Sequence, residues 1–246
     1  MISVEVQTQA VSEALLRYQA YTGKELGTVV KEQAKLLANR LIDLTPPKNK
    51  AQGTKRVDID IGRVYLRNEW FENIFSFTNQ RLGDRIKDEM RKGADDTLRQ
   101  IFLHSQKLNR LHLEGFDPAK HKAARNTAGR VNYKYPYSYP VSQQEQIRAY
   151  IDRRKKNVGI AKSGWAACYR ALGGSSPAWL SHDGGSVEDE SQAAEHPYVV
   201  LTNRVAYFAG LDSKQNIVAR ALEGRARDMI KGAQKAVERA KRSAGL

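Results

Sequence analysis

The sequence predicts an α+β fold in which long N- and C-terminal helices pack on a small, mainly antiparallel β-sheet. Apolar residues recur at helical spacing in the segments 12–44 and 217–240. Two short segments carry strand patterns, and no repeat with a period of about 20 to 50 residues is present. We therefore expect one domain over residues 1–246, with a helical insert at about 67–158.

The chain is strongly basic, because 41 Lys and Arg stand against 27 Asp and Glu and give a formal net charge of +14. Such a surface attracts polyanions, but a solvated surface without a specific partner explains the composition equally well. The single cysteine excludes an intrachain disulfide, as expected of a protein made in a reducing cytoplasm. No signal-peptide pattern or bilayer-spanning apolar run is present, so we expect neither export nor membrane insertion.

The N-terminal helix is expected to break near residues 22–27 and to end at residues 45–47, because a residue before proline is pushed out of the α region. A basic loop follows. In the next segment, 57–66, apolar residues alternate with Asp58 and Asp60, which is the pattern of a strand with one buried face.

Beyond this strand, the stretch 175–197 is rich in Gly, Ser and acidic residues and is expected to be mostly loop. Four further elements are expected: a helix over 85–113, a helix that begins with a capping box at Ser142 and Glu145 and ends near 157–159, a strand over 198–208, and a final helix capped by Asp212 or Ser213.

The segment VNYKYPYSYP, residues 131–140, places four tyrosines two residues apart. Its two prolines exclude an inner strand and favour an extended arm that lays tyrosines along a surface. Stacking on nucleic-acid bases is one use of such an arm, and packing against this chain or a neighbouring subunit is the favoured one. The candidate subunit-interface residues are Tyr133, Tyr135, Tyr137 and Tyr139.

The segment KSGWAACYRALGG contains the only cysteine and is the most tempting place for a catalytic centre. If residues 164–172 are helical, Trp165, Cys168, Tyr169 and Leu172 share one face. A thiol on that face is buried among apolar side chains, where its pKa rises and it becomes inert. We therefore assign these four residues, together with Tyr207, to the structural core.

Other patterns give no better indication of catalysis. The five histidines fall in no nucleophile or zinc-binding signature, and no phosphate-binding loop or dinucleotide fingerprint occurs. Asp58 and Asp60 are better explained by a solvated strand face than by a metal, and His182-Asp183 by turn chemistry. We expect no enzymatic activity, no metal and no cofactor.

Two groups of cations are candidate contacts with DNA in a lumen or with docking partners. One is the run Arg153, Arg154, Lys155 and Lys156 in a helix C-terminal turn, where cations are also favoured by the helix dipole alone. The other lies in the final helix and comprises Arg225, Arg227, Lys231 and Lys235. A solvated helix surface explains the second group equally well.

Several short motifs follow one another in order: LTPP, KSGWAACYRALGG, YVVLTNRVAYFAGL and ALEGRARDMI. This order resembles that of the neck and tail-completion proteins of long-tailed bacteriophages. The usual Asp-Thr-Gly after the proline turn is replaced here by KNKAQGT, and residues 66–150 are left largely unexplained. The matching positions are Thr45, Pro46, Gly164, Trp165, Asn203, Val205, Tyr207, Ala221, Leu222 and Arg225.

The resemblance implies a virion subunit that forms a homo-oligomeric ring, a hexamer or a dodecamer, at the neck or tail end. The implied partners are further copies of the chain, portal-side connector proteins, the tail terminator or tail tube, and the DNA that passes through the lumen. No membrane partner is implied. The alternative is a basic nucleic-acid-binding protein that is not part of a virion.

Overall fold

The computed structural model describes residues 2–4, 26–69, 71, 80–106, 108–109, 111–125, 131, 137–193 and 197–243. The chain divides into two compact units, one formed by residues 51–158 and the other by residues 1–50 together with 159–246. The insert was expected over 67–158. The unit 51–158 ends at the same residue as this insert but begins earlier, at residue 51. That the whole chain is a single domain stays a prediction.

The described elements confirm an α+β fold. In chain order they are β1 (Ile2–Val4), α1 (Leu26–Leu44), α2 (Lys50–Gly62), α3 (Gln80–Lys92), α4 (Asp95–Leu103), β2 (Leu111–His112), α5 (Pro118–Ala123), β3 (Tyr137–Ser138), a 3-10 turn (Val141–Gln143), α6 (Gln144–Lys156), α7 (Ile160–Ala171), β4 (Gly185–Glu190), β5 (Tyr198–Asn203), α8 (Phe208–Gln215) and α9 (Ile217–Ser243).

The unit that contains both ends of the chain is built on a three-stranded antiparallel sheet in the order β1-β5-β4. Gly185 of β4 and Ile2 of β1 both lie opposite Asn203 of β5. Helices α1 and α7 pack on the sheet and against each other, while α9 packs against α1. Apolar side chains from these helices and from β5 form one core.

Helix α1 ends at Leu44, as the proline turn predicts, and the Thr45 hydroxyl donates to the carbonyl of Leu41 at 2.6 Å. The N-terminal helix expected over 12–25 lies outside the described residues. The loop expected over 175–197 is partly wrong, because it contains β4. The final helix begins at Ile217, and Asp212 caps it by accepting a hydrogen bond from the amide of Val218 at 2.8 Å.

The unit formed by residues 51–158 contains two apolar cores of its own. Leu66, Ile86 and Tyr139 belong to one, and Ile61 and Ile147 belong to the other. A short parallel pair, β2 with β3, lies in the same unit.

A buried glutamine connects segments of this unit. The Gln144 amide nitrogen donates to the carbonyls of Leu66 at 3.2 Å and Pro140 at 3.1 Å, and its oxygen accepts from the amide of Asn68 at 3.0 Å. These bonds hold the start of α6 against the chain that follows α2.

Among the described helices, no stretch has the length and apolar character needed to cross a lipid bilayer.

Three sequence expectations in this unit are wrong. The segment 57–66 is not a strand, since residues up to Gly62 belong to α2. The helix expected over 85–113 is two helices, because Gly93 adopts a left-handed φ of 67° between α3 and α4. The expected capping box is absent, because a 3-10 turn precedes α6 and no side chain caps its first turn.

Candidate functional site

The buried face of α7 is as predicted. Trp165, Cys168 and Leu172 are buried in the core, and Tyr169 is partly buried against it. The Trp165 ring meets the ring of Phe208 edge to face, with centroids 5.1 Å apart and planes at 84°. This face of the helix therefore serves packing.

Cys168 lies where α7 crosses the sheet. Its thiol is 3.4 Å from the carbonyl oxygen of Ser186 and 3.6 Å from that of Thr202, so it is placed to donate to backbone acceptors of β4 and β5. Burial raises the pKa of this thiol to about 11, although hydrogen bonds with backbone groups act in the opposite direction. The thiolate that a nucleophile requires is therefore scarce at neutral pH.

The native protein is expected to react with a thiol reagent such as DTNB at least about a hundredfold more slowly at pH 8 than the urea-unfolded chain, because both the thiolate fraction and the access of reagent fall on folding. The absorbance of released thionitrobenzoate measures both rates. Equal rates in the two states would contradict the buried placement of Cys168.

The motif residues near the start of α7 contact one another. The Asn203 side chain donates to the carbonyl of Ala161 at 2.9 Å and accepts from the amide of Val205 at 3.1 Å. Gly164 lies so close to this amide that a Cβ at Gly164 would be 2.4 Å from the Asn203 oxygen. Asn203 therefore joins the end of β5 to α7.

Tyr207 is a correction to the predicted core, because its side chain is 53% exposed. Strand β5 ends at Asn203, and Tyr207 lies in the turn before α8 rather than on a strand face. Its hydroxyl accepts a hydrogen bond from the amide of Ala161 at 3.0 Å. The residue thus tethers the first turn of α7 from the surface.

The four candidate cations of α9 differ in their surroundings. Arg225 is mostly buried and donates to Gln33 of α1 at 2.6 Å and to Asp228 at 3.1 Å, so its guanidinium holds two helices together. Arg227, Lys231 and Lys235 are exposed. The side chains of Lys231 and Lys235 remain available for contacts with another molecule, while Nε of Arg227 donates to the carbonyl of Glu223 at 3.4 Å.

The tyrosine arm is only partly described, and one of its residues is a correction. Tyr133 and Tyr135 lie outside the described residues, and only the backbone of Tyr137 is described, as part of β3. Tyr139 is fully buried, so it is not a surface residue for a neighbouring subunit.

The reason is that Tyr139 lies inside an aromatic cluster. Its ring stacks on those of Phe71 at 5.3 Å and Phe102 at 6.1 Å. Its hydroxyl donates to Asn68 and also lies 3.0 Å from the sulfur of Met90. The polar end of the tyrosine is satisfied inside the unit, which makes burial of the whole side chain favourable.

The cations at the end of α6 are not equivalent. Arg153, Arg154 and Lys156 are exposed. Lys155 instead forms an ion pair with Asp58 of α2, with 2.8 Å between its ammonium nitrogen and the carboxylate. The sequence prediction treated all four cations as candidate contacts with DNA or docking partners. The packing of α2 and α6 instead pairs Lys155 with an acidic side chain of the same unit.

Asp60 gathers arginines from separate parts of the sequence. Its side chain is only 8% exposed, and its carboxylate lies 3.1 Å from Arg56, 3.9 Å from Arg63 and 3.8 Å from Arg125. The sequence prediction missed this grouping, because it placed Asp60 on a solvated strand and Arg125 lies more than one element away along the chain.

His121 lies near Arg125, one of these arginines, and near Arg154 of α6. It is 2% exposed, and its Nδ1 is 3.0 Å from the hydroxyl of Tyr150. Burial lowers the pKa of His121 to about 4, and the positive charges of Arg125 and Arg154 contribute to this shift. The imidazole is therefore neutral at physiological pH.

The low pKa of His121 is expected to make the protein less stable in mild acid. His121 binds a proton near pH 6.5 in the unfolded chain and only near pH 4 in the folded chain. The contribution of the neutral imidazole to stability is therefore complete above pH 6.5 and is lost as the pH falls from 6.5 towards 4. For His121 alone we expect a loss of about 2 kcal/mol at pH 5 relative to pH 7.5.

Urea unfolding of the wild-type protein and of His121→Gln at both pH values measures this loss. The variant lacks the titrating group, so its free energy of unfolding should fall by about 2 kcal/mol less than that of the wild type. Identical pH dependence in the two proteins would show that His121 has an ordinary pKa.

Within the described part of the chain, no cluster of three or more His, Cys, Asp or Glu side chains is placed to hold a metal ion. Comparisons of the chain with family models, with curated proteins and with solved structures find no match. The described residues include exposed cations of α6 and α9 and a group of arginines around Asp60.

Proposed function

We propose that this chain is a structural subunit of a tailed bacteriophage, which assembles into a ring at the neck or tail end and joins the head to the tail. Its partners are then further copies of itself, the portal-side connector and the tail terminator or tail tube. It acts by contact with these neighbours, and its place is in the virion after synthesis in the host cytoplasm.

One observation carries this proposal: the short motifs that resemble the tail-completion family meet in space. Gly164 and Trp165 lie on α7. Asn203 and Tyr207, from a later segment of the chain, form hydrogen bonds with the first turn of that helix. Each of the four motifs contributes a side chain to the same core, namely Leu44, Trp165, Val205 and Ala221. This shared framework supports a common fold with that family.

The chemistry of the same region agrees with a role in assembly. The thiol that would be the nucleophile of an enzyme is buried and protonated, and the residues around it pack against the sheet. Heterologous contacts between copies of one chain form a closed ring when the rotation between them closes. Such a ring needs a rigid framework more than a reactive centre.

The first experiment measures the assembly state of the full chain. Native mass spectrometry and negative-stain electron microscopy are expected to show rings of six or twelve copies. A protein that stays monomeric at all concentrations up to about 100 μM, well above the Kd of a stable interface, would contradict the proposal.

The second experiment tests the place in the virion. Particles made without the protein are expected to appear as separate heads and tails, or as tails with unfinished ends. Mass spectrometry of purified virions is expected to detect the chain. Its absence from infectious particles would instead favour a basic nucleic-acid-binding protein that acts outside the virion.

A further inference from the structure

We propose that the unit formed by residues 51–158 binds the phosphodiester backbone of nucleic acid through an arginine patch consisting of Arg56, Arg125, Arg153 and Arg154. This inference does not depend on ring assembly, because the patch belongs to one unit of one chain. The sequence indicated only the last two of these arginines. The other two are brought beside them by the fold.

Contacts between side chains connect the four arginines into one surface. Arg56 and Arg125 share the carboxylate of Asp60. The guanidinium carbons of Arg153 and Arg154 each lie 5.9 Å from the centre of the Tyr150 ring.

The two pairs are linked through the histidine that precedes Arg125 by one turn. The hydroxyl of Tyr150 is 3.0 Å from Nδ1 of His121, and the ring of His121 meets that of Tyr150 edge to face at 5.8 Å. Arg125 and Arg154 both act electrostatically on His121. Helices α2 and α6 and the end of α5 thus present their arginines together.

The patch carries more positive charge than the paired carboxylate neutralises. Asp60 is shared by Arg56, Arg63 and Arg125, so these four side chains alone sum to +2, and Arg153 and Arg154 raise the total to +4. Asp58 does not reduce this total, because it is already paired with Lys155. Asp152 and Lys156 of α6 are both exposed and offset each other.

A buried histidine reports the resulting potential. Burial is the main reason that the pKa of His121 falls to about 4, and the positive charges of Arg125 and Arg154 lower it further. An anion bound at the surface would offset the charge of these two arginines.

Several properties of the patch favour a nucleic-acid backbone over other anions. Arg56 and Arg125 are 45% and 34% exposed, and Arg153 and Arg154 are exposed on α6, so guanidinium groups reach solvent from three segments. Arginine forms bidentate hydrogen bonds with phosphate, and a distributed set of arginines matches a row of phosphates rather than one small anion. The Tyr150 ring is buried, so bases have no stacking surface there and binding should not depend on sequence.

The test measures binding of the full chain to a fluorescein-labelled duplex of random sequence by fluorescence anisotropy at several salt concentrations. With about four phosphate contacts, log K is expected to fall with log salt with a slope of about −3.5. The variant Arg153→Gln/Arg154→Gln is expected to bind about ten- to a hundredfold more weakly at 0.1 M salt, with a slope smaller by about 2.

Two matched variants separate the patch from general charge. Arg204→Gln/Lys214→Gln removes the same charge from exposed positions of the other unit that are not candidate contacts, and this variant is expected to bind the duplex within about twofold of wild type. Arg153→Lys/Arg154→Lys keeps the charge and is expected to keep most of the salt slope. Thermal melting of each variant shows that it is folded.

Three results would overturn the inference. The wild-type protein could fail to bind the duplex at low salt, the Arg204→Gln/Lys214→Gln variant could lose as much affinity as the α6 variant, or polyglutamate of matched charge could compete as well as unlabelled duplex. The last result would assign the patch to an acidic protein instead. None of the three bears on whether the chain forms a ring.

Discussion

Replacing Trp165 with alanine is expected to lower the free energy of unfolding by about 3–5 kcal/mol. The indole is fully buried in the core and packs edge to face on Phe208. Removing it leaves a cavity between α7 and the start of α8, and the backbone around that cavity is held by the Asn203 and Tyr207 hydrogen bonds. The site therefore has little freedom to collapse. Urea unfolding followed by circular dichroism measures the loss.

A control for the loss of an apolar side chain is Leu36→Ala, because Leu36 lies on α1 in the same unit and is 44% exposed, whereas Trp165 is fully buried. Its effect should be within about 0.5 kcal/mol. Trp165→Phe should cost less than the alanine variant, because a ring remains in the cavity. A Trp165→Ala protein as stable as wild type would overturn the placement of the indole in the core.

Replacing Gly185 with alanine is expected to destabilise the protein by about 3 kcal/mol. Gly185 begins β4 where α7 crosses the sheet, and a Cβ there would be 1.9 Å from the carbonyl oxygen of Gly164 and 2.9 Å from the sulfur of Cys168. The nearer atom belongs to a helix backbone, so it cannot turn aside as a side chain would. The helix must move away from the strand to admit the methyl group.

The matched control is Gly210→Ala, because Gly210 lies in α8 and a methyl group added there would meet no other part of the described chain within 4 Å. Alanine is favoured over glycine in a helix by about 1 kcal/mol, so this variant should be as stable as wild type or more stable. Comparison of the two substitutions by urea unfolding separates the steric effect from backbone entropy. Equal stabilities would show that α7 and β4 are farther apart than the structure has them.

The sequence was sufficient to predict the end of α1 and the buried face of α7, but not β4 or the position of Tyr207. The proline turn marked the end of α1, and the spacing of Trp165, Cys168 and Leu172 identified the buried face of the helix. These signals are local, because a turn residue and a helical period act within one element. The α+β class followed from the same local patterns.

The segment 57–66 shows where local reasoning fails. Its apolar residues alternate, which is typical of a strand. Val57, Ile61 and Val64 also lie at the spacing of one helical face, so the same sequence is compatible with a strand and with a helix. The segment up to Gly62 is helical, because this conformation packs those three side chains in a core and leaves Ile59 partly exposed. Packing against distant parts of the chain decided a choice that propensity left balanced.

The arginine patch could not be predicted for a related reason. Nothing within the sequence around Arg56 or Arg125 distinguishes them from the other cations of a basic chain. Their partner Asp60 was itself misplaced by the strand assignment. A site assembled from two helices and the residue that follows the C-cap of α5 becomes visible only when their packing is known, whereas the cations at 153–156 are adjacent in the sequence.

The unit that holds the ends of the chain is discontinuous, since residues 51–158 separate α1 from α7, β5 and α9. During synthesis α1 emerges with its apolar face uncovered, and the side chains that cover it, such as Trp165 and Ala221, are translated much later. At about 5–20 residues per second the delay is on the order of 10 s or more. The intervening unit can complete its own cores first, so the nascent chain carries a folded middle while its first helix still lacks a partner.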